Sequence, residues 1–207
     1  MKNLKNLIII ILISSLMTQC TSIIKVVYGF KNPKIIGLTR VNKSIAKHHL
    51  KYFEHYAITS QGFYDYFKRN TSVNNLMIFN KEGQMISPKK LSICSGSKID
   101  FIDQFTDTSQ TITIDTINIS TLLLELRTLQ GERFHFDNAG AEYTILLTWA
   151  TFAGKLNDEL TRSWAEKLKA KNGLNLKVVY IYVQTLETFG RIVNSILELK
   201  RYIKIKD

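Results

Sequence analysis

The chain predicts an α/β fold, a mixed sheet flanked by helices. Tyr143–Trp149 is the strongest apolar strand and reads as buried on both faces, the mark of a central parallel strand, and Leu176–Val183 reads as a second strand. A helical segment from about Asn157 to Lys171 lies between them and predicts a right-handed crossover. Upstream, Leu76–Phe79 and Gln84–Ile86 flank Asn80-Lys81-Glu82-Gly83, a plain β-hairpin in which Gly83 supplies the positive φ of the turn. Parallel and antiparallel pairs are thus expected in one chain.

The other elements follow in order. Lys34–Val41 reads as a strand, and Ser44 caps a helix on which Ile45, His49, Leu50, Phe53 and Ala57 share a face. Residues 60–73 have no clear period, and Tyr64–Phe67 suggests a helical turn. Ser97 and Asp100 open a capping-box-like start to a short helix carrying Ile99, Phe101, Ile102 and Phe105. Thr111–Asp115 alternates as a strand does. Ile119, Leu122, Leu123, Leu126 and Leu129 repeat at helical spacing until Gly131. A turn rich in Asp, Asn and Gly at 137–140 leads into Tyr143. The last helix turns Phe189, Ile192, Val193, Ile196 and Leu197 inward and Arg191, Lys200 and Arg201 outward.

The N-terminus reads as an export leader. A positive start with Lys2 and Lys5, the apolar run Leu7–Met17 and Cys20 just beyond it resemble a bacterial lipoprotein signal. That resemblance implies removal of residues 1–19, acylation of Cys20 and a tether outside the cytoplasm, in the cell envelope. An ordinary secretory leader or a short anchor is the alternative, and the apolar run is too short for the roughly twenty residues of a membrane span. Residues 20–33 then form a membrane-proximal tether. Residues 34–130 form a β-α-β-β-α half with its connecting helix, residues 131–207 a β-α-β-α half, and 34–207 one domain.

Net charge is +11 over 207 residues, falling to +9 once Lys2 and Lys5 leave with the leader. The charge is uneven. Thr21 to Phe53 holds Lys25, Lys31, Lys34, Arg40, Lys43, Lys47 and Lys51 without an acid, whereas the stretch from Lys98 to Glu142 is acidic. Two readings stand: attraction of a basic segment beside a lipid anchor to anionic headgroups, or a solvated face. Nucleic acid is not expected as a partner, because no recognition motif accompanies the charge. With Cys20 acylated, Cys94 is the one remaining thiol, so the fold rests on packing without an internal disulfide.

Tyr143 to Leu156, Y-T-I-L-L-T-W-A-T-F-A-G-K-L, is similar to the strand-to-helix turn of extracytoplasmic thioredoxin-like proteins, where a hydrophobic strand ends in W-A-x-W followed by C-x-x-C. Trp149 and Ala150 match, Phe152 takes the second aromatic place, and Ala153, Gly154, Lys155 and Leu156 stand where the C-x-x-C would be. The resemblance covers about the last sixty residues. It implies a thioredoxin-like mixed sheet, and because helix, hairpin and helix lie upstream, it implies permuted connectivity with the hairpin beside Tyr143–Trp149. No proline precedes Leu76, a departure from the family's pattern.

Disulfide exchange needs an attacking thiolate and a resolving thiol, and this turn has neither. The resemblance leaves a helix N-terminus lined by Trp149, Phe152 and Lys155, either a peptide-binding surface or a packed relic. The expected function is a redox-inactive binding or scaffolding module for another envelope protein, with no cofactor and no metal. Two alternatives stand beside it. One is a single-cysteine thiol protein acting through Cys94 by mixed disulfide or peroxide chemistry; the other is a structural lipoprotein without a site. His48, His49 and His55 are expected on one helix as a half-exposed basic face, since their spacing is not that of a zinc helix. No nucleophile elbow, P-loop, dinucleotide turn or glycosidase carboxylate pair occurs.

Overall fold

The structure, a computed structural model, describes residues 27–69, 72–88, 112–134, 140–171, 173–184 and 186. The leader with Cys20, the segment with Cys94, the helix expected near 97–105 and the last helix lie outside the described residues.

The fold is α/β, built on one mixed sheet of seven strands. These are β1 Glu54–Ile58, β2 Leu76–Asn80, β3 Gln84–Pro88, β4 Ile112–Asn118, β5 Leu126–Thr128, β6 Tyr143–Trp149 and β7 Leu176–Tyr182, in spatial order β4-β3-β2-β6-β7-β1-β5. Strands β6, β7 and β1 run parallel, with Leu147 opposite Tyr180 and Tyr180 opposite His55. Strand β2 lies antiparallel on the other side of β6, Ile78 facing Ile145, and continues into β3 and β4; β5 closes the far edge against β1. The expected hairpin does pair beside β6, and the strands expected at 143–149 and 176–183 form. Strands from both sides of residue 130 share this sheet.

Side-chain alternation divides the core. From β6 and β7, Ile145, Leu147, Trp149, Val178, Tyr180 and Tyr182 enter one cluster, while Leu146, Val179, Ile181 and Val183 enter the other. Helices α1 (Leu38–Lys47) and α4 (Ser163–Ala170) cover the first face through Val41, Trp164, Ala165 and Leu168. Helices α2 (Ser60–Arg69) and α3 (Ile119–Leu123) cover the second through Phe63, Tyr66 and Ile119. Trp149, Tyr180 and Tyr182, expected in the core, are fully buried.

Three elements differ from expectation. Of the strand expected at Lys34–Val41, Leu38–Val41 is instead the first turn of α1, because Leu38, Val41 and Ile45 recur at three and four residues and pack as a helical stripe. Only Ile36 keeps a strand-like contact, an isolated parallel bridge to Leu186. The expected continuation of that helix through Ala57 fails at His49, which adopts a left-handed φ of 54°. Leu50 N–H then donates to Ile45 O at 3.0 Å and His49 N–H to Ala46 O at 3.3 Å, the paired bonds of a Schellman ending. His55 therefore lies on β1, apart from His48 and His49.

The leucine repeat from Ile119 to Leu129 is helical only to Leu123. Leu126 and Leu129 are buried on opposite faces of the sheet, a division that their odd separation permits in a strand. A five-residue helix has little stability of its own, and pairing along the β1 edge, with Thr59 N–H donating to Glu125 O, takes the backbone instead. Conversely, residues 60–69 form a helix where no period was legible, started by Thr59, whose Oγ1 accepts the Gly62 N–H at 3.1 Å. Gly62 is required there, since a Cβ would meet Glu125 Cβ at 2.6 Å.

Candidate functional site

The three parallel strands deliver their carboxyl ends to one side of the sheet, the side where α/β folds commonly bind ligands. Beyond Trp149 the chain makes a short 3-10 turn, Thr151–Ala153, then Gly154 and a π-helical stretch, Asn157–Arg162, that runs into α4. The turn is covered by the segment after Val27. Lys155 N–H donates to Tyr28 O at 2.8 Å and Lys31 N–H donates to Phe152 O at 3.0 Å. Gly154, at φ 57° and ψ −131°, lies so close to this segment that a Cβ would stand 2.1 Å from Tyr28 O.

This cover decides what the turn offers. The amides of Ala153, Lys155, Asn157, Asp158 and Glu159 all donate to backbone carbonyls, so the free helix N-terminus expected from sequence is taken up internally. Trp149 and Ala153 are fully buried, and Phe152 nearly so. Lys155 is exposed, and Leu156 is half-buried. Trp149 is thus part of the core and not a wall of a binding surface.

A buried polar network that sequence reasoning missed locks the facing loop to this turn. Asn74 Nδ2 donates to Asn157 Oδ1 at 3.0 Å and to Thr161 Oγ1 at 2.8 Å. Asn157 Nδ2 donates to Ala150 O at 2.9 Å, and the Thr161 hydroxyl donates to Thr148 O at 2.9 Å. Thr148 Oγ1 accepts the Asn75 N–H at 2.7 Å and donates to Val73 O at 2.6 Å. Tyr66 OH lies 3.1 Å from Thr148 Oγ1 and donates to Ser72 O, and burial pushes its phenol up to about 12. Polar residues inside an otherwise apolar period were the available signal.

The open feature lies alongside. A cavity of about 630 Å³ is floored by Thr151, Phe152 and Gln184, which follow β6 and β7, and walled by Lys31 and Lys34 on one side and α1 on the other. From α1 come Arg40, Lys43, Ser44 and Lys47, whose spacing of three and four residues sets them on one helix face, with His48 beside them. Gln184 pins the rim to the floor: its Nε2 donates to Lys34 O, and its Oε1 accepts the Thr151 hydroxyl at 2.6 Å. Five of the seven cations in the acid-free stretch therefore converge on one concavity. Among the described residues none of the five has a carboxylate partner, whereas Lys177 and Arg162 elsewhere pair with Glu54 and with Asp158 and Glu166.

The expected half-exposed histidine face is corrected here. His48 is buried, with Nδ1 at 2.9 Å from Asp158 Oδ2, a hydrogen-bonded contact between the C-cap of α1 and the π-helical stretch. His55 is stacked on Tyr180 at 4.6 Å and set edge-on to Trp149 at 5.6 Å. Its Nε2 donates to Leu50 O at 2.7 Å, and burial, against that weaker opposing bond, pushes its pKa down to about 4. Burial likewise pushes the Tyr182 phenol well up, opposed by a hydrogen bond with Thr151 and by the charge of Arg40. Among the described residues no group of three or more His, Cys, Asp or Glu could hold a metal, and no helix is long and apolar enough to cross a membrane. Cys94 and Cys20 lie outside the described residues.

Comparison with known proteins finds no matching family model, no matching curated protein and no matching solved structure.

Proposed function

We propose that the chain is a redox-inactive, thioredoxin-like binding or scaffolding module, acylated at Cys20 and held in the cell envelope. The observation that carries this reading is the turn after β6. It joins a buried strand ending in Trp149 to a crossover helix and a parallel strand, with an antiparallel hairpin on the other flank of β6, the arrangement the permuted thioredoxin-like reading requires. Where the redox family keeps its two thiols, this chain has Ala153 and Leu156, and between them Gly154 and Lys155 meet the backbone of Tyr28 and Gly29. Without a thiolate no mixed disulfide forms, and what such a module retains is binding. The tether supports the same picture. An extended chain spans at most about 3.6 Å per residue, so an acylated Cys20 would hold Val27, and the carboxyl end of the sheet next to it, within roughly 25 Å of the lipid.

The test is metabolic labelling of bacteria expressing the full chain with tritiated palmitate, alongside an insulin disulfide-reduction assay of the purified protein. Label in the wild type that is lost in Cys20→Ser, with no insulin turnover, is the expected result. Absence of label overturns the anchor, and measurable turnover that disappears in Cys94→Ser replaces the binding role with thiol chemistry.

A further inference from the structure

We infer that the basic cavity beneath α1 is a binding site for a multiply charged, phosphate-bearing anion. This goes beyond the envelope role and does not depend on acylation. A purely solvated face would spread its cations; here Lys31, Lys34, Arg40, Lys43 and Lys47 line one concavity of about 630 Å³, the size of a small-ligand site. Along α1 the three like charges lie three and four residues apart, a spacing that is mutually destabilising, and no acidic residue sits in the helix's first turn to relieve it. Among the described residues no carboxylate answers any of the five. The five cations are exposed, and their clustering on one concavity with Phe152 as an apolar lining residue sums their charges into a positive field that draws anions.

The cation type narrows the ligand. Five cations on one concavity match an anion of several charges, which phosphate groups carry, and lysine binds phosphate as a point charge; four of these five cations are lysines. The phosphates can come from a lipid headgroup or from a soluble compound, and the site's chemistry is the same for both.

The experiment has two probes, both applied to the full chain in nonionic detergent or reconstituted from it. Sodium tripolyphosphate is titrated calorimetrically, and co-flotation compares vesicles of phosphatidylglycerol with vesicles of phosphatidylcholine. The expected result is saturable binding to at least one probe, weakened tenfold or more in Lys43→Gln/Lys47→Gln. A control double variant, Lys68→Gln/Lys81→Gln, removes the same charge from exposed positions elsewhere and stays within twofold of wild type. A selective loss of phosphatidylglycerol binding assigns the headgroup as the source; a loss confined to tripolyphosphate assigns a soluble anion. Equal weakening in both double variants, or no saturable binding to either probe, overturns the site. An unchanged urea midpoint for Lys43→Gln/Lys47→Gln confirms that the comparison is between folded proteins.

Discussion

Acidification from pH 7.5 to pH 5 should destabilise this protein through His55. In the folded chain the imidazole is sandwiched against Tyr180 and Trp149 with Nε2 bonded to Leu50 O, and its buried Nδ1 has no hydrogen-bond partner. A proton on Nδ1 would be an uncompensated buried charge, so the folded pKa falls to about 4 from an ordinary 6.5. Because the folded value is depressed, the unfolded chain binds the extra proton between these two pH values; stability is full above 6.5 and is lost as pH falls toward 4. The loss relative to pH 7.5 is about 2 kcal/mol at pH 5 and on the order of 3 kcal/mol below pH 4, with a slope near pH 5 of about 1.2 kcal/mol per unit. The Glu54 carboxyl is held below its usual value chiefly by the Tyr56 hydroxyl. Urea unfolding followed by tryptophan fluorescence reads the transition directly, since the chain's two tryptophans, Trp149 and Trp164, are buried in the cluster on the same face. Measured at pH 7.5 and pH 5 for wild type and His55→Phe, the wild type should lose about 2 kcal/mol more than the variant on acidification. A wild type whose pH dependence matches that of His55→Phe would refute the burial argument.

Other outcomes are equally specific. His49→Gly relieves the left-handed backbone at the end of α1 and should raise stability by roughly 1 kcal/mol, seen as a higher urea midpoint. Gly154→Ala forces a Cβ into Tyr28 O, so it should cost about 1–3 kcal/mol and increase protease cleavage between residues 27 and 34. Thr148→Val keeps the side-chain shape but strips the hydroxyl shared by Tyr66, Asn75 and Val73; a loss of about 2 kcal/mol in urea unfolding is expected.

The site was legible in parts that only the fold could assemble. Seven cations without an acid between Thr21 and Phe53 are visible in sequence, yet their meaning as either a solvated face or an anion-attracting segment depended on direction. Direction came from α1. Had Lys34–Val41 been a strand, Arg40 would have left the row of Lys43 and Lys47, but as a helix it joins them. The asparagine and threonine network was hidden for a different reason. Asn74, Thr148, Asn157 and Thr161 come from three separate segments and are polar residues of the kind ordinarily found in loops and caps. The histidines misled because spacing along a presumed helix says nothing once His49 ends it.

By itself, the sequence determined the strands whose burial is symmetric. Tyr143–Trp149, Leu176–Tyr182 and the hairpin around Gly83 declare themselves because a run of apolar residues, or a glycine at a forced φ, has one inexpensive solution wherever it lies in the fold. Tertiary structure alone decided the elements whose local preferences were nearly balanced. The Leu126 strand exists because β1 had a free edge, and the turn after Trp149 is closed because the backbone of Tyr28 and Lys31 reaches it. Each of those outcomes rests on hydrogen bonds between segments far apart in the chain, and no local pattern of residues encodes a partner that distant.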